Sequence, residues 1–248
     1  MNIRRLAVLA ALAAAVLLLT PPRAGAQPPK VTQKVLRAGN KTYSFTFRYP
    51  ELSVPGALMG VRGIMGDYNR AFRAIADRYL TNFKKDLADL GPPPAELKSA
   101  KSEVDGRYNV LVNRQGVFSV KWDVYHCFAG AAHPDTVVIT SNWIGDRPIH
   151  ITDLFSDPKR GLQAVSEAAR ADLAKQFAKE QGMLSLEDGA GPDPKNYEAF
   201  GLRKQGLQIF FQRGQVAAGA AGNLTVLIAW NALKAQLKPE MWAAIEKI

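Results

Sequence analysis

A single cysteine, Cys127, stands in 248 residues, so no internal disulfide can form. Three histidines beside it are too few for an ordinary all-protein zinc cage, which draws four ligands from cysteine and histidine. Charged residues make up only 22% of the chain and apolar ones 47%, a balance that excludes a disordered polymer. Polybasic blocks are missing too: the nearest approach is the pair Lys84-Lys85, inside a helical pattern, so no nucleic-acid partner is expected. Neither Gly-x-Ser-x-Gly nor His-Glu-x-x-His stands out. Ala218–Gly222 is glycine-rich but has no following Lys-Ser/Thr and precedes a strand pattern, so it fails as a phosphate loop. Glu187, Asp188 and Asp193 lack the regular spacing of a calcium loop. These absences lead to an expectation of no metal, no cofactor and no catalytic residue.

The most specific positive signal is at the start. Arg4 and Arg5 precede an apolar run from Leu6 to Leu19, followed by Pro21-Pro22 and the small-residue triplet Ala24-Gly25-Ala26. That is the order of a secretory signal, and the run is 14 residues, short of the ~20 that a bilayer-spanning helix needs. Cleavage after Ala26 would leave Gln27 as the first residue of a periplasmic or secreted protein with no transmembrane span; the rival is an uncleaved anchor. Residues 1–26 carry three arginines and no acid, so the remainder has 29 basic against 22 acidic side chains, a net charge of +7. A surplus of that sign favours anionic partners such as wall polymer, acidic lipid headgroups or lipopolysaccharide.

Beyond the leader, residues 27–40 read as a polar linker. Tyr43, Phe45, Phe47 and Tyr49 alternate with polar residues, predicting a half-buried strand that Pro50 ends, with loop over 51–63. Ile64, Tyr68, Phe72, Ile75, Tyr79, Phe83, Leu87 and Leu90 recur at helical spacing, with Asp67 as a candidate first-turn acid and Gly91-Pro92-Pro93-Pro94 as the stop. After a connector at 95–106, Tyr108–Val112 and Val117–Tyr125 form a predicted hairpin, with Phe118, Val120, Trp122 and Val124 facing inward. Short strands follow at Thr136–Trp143 and Pro148–Ile151. A second helix is expected over 159–181, started by Asp157-Pro158 and stopped by Gly182. Strands at Gly206–Arg213 and Asn223–Trp230 and short helices at Ala232–Leu237 and Pro239–Lys247 complete the chain. The fold class is therefore α+β: a largely antiparallel sheet packed by two long helices, with short C-terminal helices. One domain is expected over 41–248, with halves 41–115 and 116–248.

His126, Cys127, His133 and Asp135 are the residues closest to a catalytic or metal constellation. Their spacing matches no zinc motif, and the Gly130-Ala131-Ala132-His133-Pro134 turn explains them as a structured loop. A lone unpaired thiol that follows a strand reads as a buried, inert residue. His133, Pro134 and Asp135, presented by that turn, are candidate binding contacts, although His133 could equally cap its own turn. Trp143 could stack on a sugar ring and Arg147 sits in the turn Gly145-Asp146-Arg147; tryptophan in an alternating strand is more often core.

The run Phe118–Tyr125, then Gly130–Pro134, then Ile151-Thr152-Asp153-Leu154-Phe155, resembles the C-terminal domain family of RsiV-like proteins. That domain also occurs beside the catalytic domain of PdaC-type peptidoglycan deacetylases. The strands at Gly206–Phe211 and Gly222–Ile228, and Tyr68, Asn69 and Phe72 after Tyr49–Leu52, extend the resemblance over about residues 40–235. Ala131 replaces a glycine of the family's turn, and Gly145-Asp146-Arg147 replaces its Thr-Gly-Lys. The resemblance implies an exported, non-catalytic α+β module near the cell wall, contacting wall glycan or an envelope protein. A lysozyme-type partner, which the family also implies, is opposed by charge, since both surfaces would be cationic. The rival reading is a metal-dependent envelope hydrolase or deacetylase built on His126, His133 and a carboxylate such as Asp123 or Asp135.

Overall fold

The computed structural model describes residues 27–91, 96, 99–114, 116–178 and 184–248. The leader 1–26, the Pro92–Pro94 stop and the Gly182 stop lie outside the described residues. Six strands form one sheet in chain order: β1 (Lys30–Gly39), β2 (Tyr43–Ser53), β3 (Ser102–Arg114), β4 (Val117–Cys127), β5 (Asp135–Ile144) and the two-residue β6 (Arg147–Pro148). All neighbours are antiparallel except β2 and β3, which run parallel over Tyr43–Phe47 and Ser102–Gly106. The chain between that parallel pair is α1 (Met59–Leu90), the crossover that a parallel connection requires. A second sheet holds β7 (Phe200–Leu202), β8 (Gly206–Phe211) and β9 (Leu224–Ala229). Around it lie α2 (Pro158–Gln176) and the short helices α3 (Leu186–Gly189), α4 (Trp230–Leu233) and α5 (Pro239–Ile245). The expected α+β class, with its mostly antiparallel sheet and two long helices, holds.

One core lies between α1 and the large sheet. Phe45, Phe47, Trp122, Val124 and Phe118 on the sheet meet Tyr68, Phe72, Ala76 and Phe83 on the helix, all at 2% exposure or less. The predicted stripe is confirmed over most of its length, but Leu90 is 64% exposed because the helix there has run past the sheet. Asp67 does not start the helix: α1 begins at Met59, and Asp67 pairs within it with Arg70. The second core joins α2, through Leu162, Val165, Ala169 and Leu173, to Leu207, Ile209 and Phe211 of the small sheet and to α5. Asp157 caps α2, its carboxylate accepting from the amides of Lys159 at 3.0 Å and Arg160 at 3.3 Å.

The sequence reading needs further corrections here: the strand expected at Pro148–Ile151 is only the two-residue β6, followed by a 3-10 turn at Ile151–Leu154. Residues 30–39 are not linker but strand β1, paired along its whole length with β2. Their alternation is weak because an edge strand buries no residue fully. Strand β2 runs on past Pro50 to Ser53, since beyond Phe47 it no longer pairs with β3 and a proline costs no ladder bond on that side. Asn69 of α1 takes over there, accepting from the Leu52 amide at 2.7 Å and donating to its carbonyl at 2.9 Å. The supposed connector at 95–106 includes the start of β3, whose Val104 is buried against α1.

Candidate functional site

Alternation along β4 sends neighbouring residues to opposite faces. Phe118, Val120, Trp122, Val124 and His126 face α1, while Ser119, Lys121, Asp123, Tyr125 and Cys127 face away. His126 and Cys127 are thus held apart by the strand itself. The ring of His126 is engaged by α1: its Nδ1 lies 3.2 Å from the Tyr79 hydroxyl, and Phe128 packs edge-on against it. Burial, with the carboxylates of Asp135 and Asp86 adding to it, pushes the Tyr79 phenol up to about 12, so it stays a neutral hydroxyl. His133 sits exposed in the turn between β4 and β5. Among the described residues no group of three or more His, Cys, Asp or Glu side chains comes together as a metal-holding set.

The outward face of the small sheet's loop forms a cleft with that turn. Its volume is about 340 Å³, and Tyr125, Pro134, Asp135, Thr136, Arg213 and Asn223 are in its wall. Two bridges close its back. The Arg213 guanidinium donates to the carbonyls of Gly219 at 2.8 Å and Pro134 at 3.2 Å, and lies 3.9 Å from Asp135. Asn223 accepts from the Arg213 amide at 2.7 Å and donates to the Thr136 carbonyl at 2.8 Å. The Asp135 carboxylate also accepts from the Thr136 amide at 2.8 Å. Tyr125, 37% exposed, supplies an aromatic wall; its phenol is pushed up by partial desolvation, with Cys127 and Glu103 adding to it. The cleft therefore offers one aromatic surface and a near-neutral set of fixed donors and acceptors, an arrangement suited to holding a polar ligand.

The sequence-stated candidates divide across the molecule. Pro134 and Asp135 line the cleft, and His133 stands beside them on the same turn. Trp143 and Arg147 are at the other end of β5, about 26 Å from Asp135 at ~3.3 Å per residue. Trp143 is a correction: it is 4% exposed, its ring stacked on Tyr68 at 4.2 Å, and it belongs to the α1 core. Strand pairing put its side chain on the helix-facing side, together with Phe118. Arg147 is exposed at the β5–β6 turn. Tyr125, Arg213 and Asn223 escaped sequence reasoning, because the two walls of the cleft are 79 and 87 residues apart along the chain.

Residues 152–231 match the family model described as a protein of unknown function, DUF3298. The Arg213–Asn223 wall of the cleft falls within that match and the Tyr125–Thr136 wall precedes it. The chain is 24% identical over 172 residues to the peptidoglycan-N-acetylmuramic acid deacetylase PdaC of Bacillus subtilis, covering 68% of this chain and 36% of that protein. It is 27% identical over 146 residues to the immunogenic protein MPT64 of Mycobacterium tuberculosis, covering 58% of this chain and 62% of that one. The chain thus spans less than two thirds of either relative's length. A crystal structure of a DUF3298-family protein from Bacteroides fragilis shares the fold with a TM-score of 0.56 at 14% identity, over 89% of this chain and 99% of that one. Another, from Pseudomonas aeruginosa, gives 0.50 at 13% identity over 86% and 94%. Kinship with the PdaC-associated domain family, implied by the strand and turn motifs, is what these similarities support. Among the described residues no helix is long and apolar enough to cross a membrane.

Proposed function

We propose that this chain is an exported, non-catalytic binding module of the bacterial cell envelope that holds wall glycan in the cleft between the β4–β5 turn and the loop 214–222. The observation that carries the reading is the cleft itself, in which an exposed tyrosine stands beside fixed polar groups. Sugars bind by one apolar face against an aromatic ring and by hydroxyls to amides and carboxylates, which is the division that Tyr125 and Asp135, Arg213 and Thr136 provide. The basic n-region, short apolar run and small-residue site of residues 1–26 support export. The relative whose name specifies peptidoglycan supports an envelope setting. Catalysis draws no support from the geometry, because His126 is turned towards α1, Cys127 faces the other way and His133 lies in an exposed turn.

Co-sedimentation with purified sacculi tests the reading. The unaltered protein should be retained and Tyr125→Ala should lower the retained fraction at least fivefold at unchanged thermal stability. Equal retention of the two proteins, or none of either, would refute the cleft as a glycan site. His133→Ala, run alongside, decides whether the exposed imidazole belongs to the contact surface.

A further inference from the structure

At the opposite end of the large sheet from Asp135, the tip of the β3–β4 hairpin and the β7–β8 turn enclose a second groove of about 320 Å³. Three cations, Arg114, Arg203 and Lys204, stand in its lining together with Asn113 and Gln205, and no acidic side chain does. Among the described residues, none of the three cations forms an ion pair with a carboxylate. Like charges so gathered repel one another, and an anion between them would relieve that repulsion.

The frame behind these side chains is rigid. Arg203 and Gly206 exchange backbone hydrogen bonds at 3.0 and 3.3 Å, making Lys204-Gln205 the tip of a two-residue hairpin. The Arg203 carbonyl accepts from the Trp230 indole at 2.8 Å, and its guanidinium donates to Gln208 at 2.5 Å. A side chain at Gly206 would overlap the Ile228 carbonyl, so the turn lies tightly against β9. Leu202, just before the turn, is anchored through its amide to Ser119 of β4 at 3.0 Å. Asn113, beside Arg114, is fixed by donating to the Pro29 carbonyl at 2.8 Å. The backbone that carries the three cations, and the Arg203 side chain, are therefore held in place before any ligand arrives, which lowers the ordering cost of binding.

We propose that this groove is an anion site that takes a phosphate group, with Arg203 and Arg114 as forked donors and Lys204 as a point charge. Guanidinium forks match the paired oxygens of a phosphate, and the groove has the volume of a small-ligand site. The proposal stands apart from the glycan cleft: the two sites share no residue, and either can fail alone.

Titration of the full chain with inorganic phosphate at constant ionic strength, followed by amide NMR, tests it. Saturable shifts are expected at Asn113, Arg114 and Arg203–Gln205. Arg114→Gln with Lys204→Gln, both at exposed positions, should weaken the apparent affinity at least tenfold. Lys41→Gln with Arg62→Gln removes the same charge from exposed positions elsewhere and should change it less than twofold. Shifts that follow ionic strength alone, or equal weakening by both double variants, would overturn the site. Glycerol 3-phosphate and phosphatidylglycerol vesicles, run as separate arms, distinguish a soluble phosphate ester from a lipid headgroup. Binding in either arm that survives the Arg114/Lys204 change also overturns it.

Discussion

Asn142→Ala should be among the most damaging single changes on the sheet. Asn142 and Ser119 are 3% and 0% exposed and lie on the face of β4 and β5 away from α1, where strand β7 crosses them. The Ser119 hydroxyl donates to Asn142 Oδ1 at 2.6 Å and accepts from the Leu202 amide at 3.0 Å, while Asn142 Nδ2 donates to the Phe200 carbonyl at 2.8 Å. This chain of bonds fastens the small sheet to the large one. Alanine at 142 would leave the Phe200 carbonyl buried without a partner and the Ser119 hydroxyl proton without an acceptor, though that oxygen keeps the Leu202 amide. At about 1–3 kcal/mol for each of the two orphaned groups, the loss is about 2–6 kcal/mol. Total stabilities are about 5–15 kcal/mol, so a large share of the whole would go. Urea unfolding, followed by circular dichroism on the parent, Asn142→Ala, Ser119→Ala and the double variant, measures it. The double variant should lose clearly less than the sum of the singles, because both remove the same network. A loss below about 0.5 kcal/mol for Asn142→Ala, the range of an ordinary surface change, would refute the reasoning.

Gln212→Ala should act similarly at the outer edge of β5. Gln212 accepts from the Val138 amide at 2.9 Å and donates to the Val138 carbonyl at 2.7 Å, standing in for a missing strand. Its loss should cost about 1–3 kcal/mol and speed amide hydrogen exchange at Val138 while leaving exchange in β2 unchanged. Alkaline stability should depend on Tyr79, whose burial, followed by Asp135 and Asp86, pushes it up to about 12 against about 10 in an unfolded chain. The unfolded state then sheds its proton first, so the contribution is complete below pH ~10 and is lost as pH rises towards ~12. Tyr79→Phe should therefore lose less stability than the parent between pH 9 and 11.5 in urea titrations; equal losses would place the alkaline transition elsewhere.

Elements whose residues face a full core on one side were legible in the sequence. Tyr68, Phe72 and Phe83 reveal α1, Phe118 to Val124 reveal β4, and Asp157-Pro158 marks the start of α2, because burial imposes a period of 3.6 or 2 and a helix end demands a cap. The α+β class follows from that patterning. Tertiary structure alone decided what depends on pairing across the chain. Strand β1 became visible only beside β2, since an edge strand buries too little to be patterned. Trp143 and His133, both plausible ligand contacts as letters, were separated by strand register into a stacked core residue and an exposed turn. The polar walls of both grooves meet through contacts between segments far apart in the chain, as in Arg213 with Pro134 and Leu202 with Ser119. A hydrogen bond needs only one donor and one acceptor at the right place, so it leaves no periodic trace in the sequence that makes it.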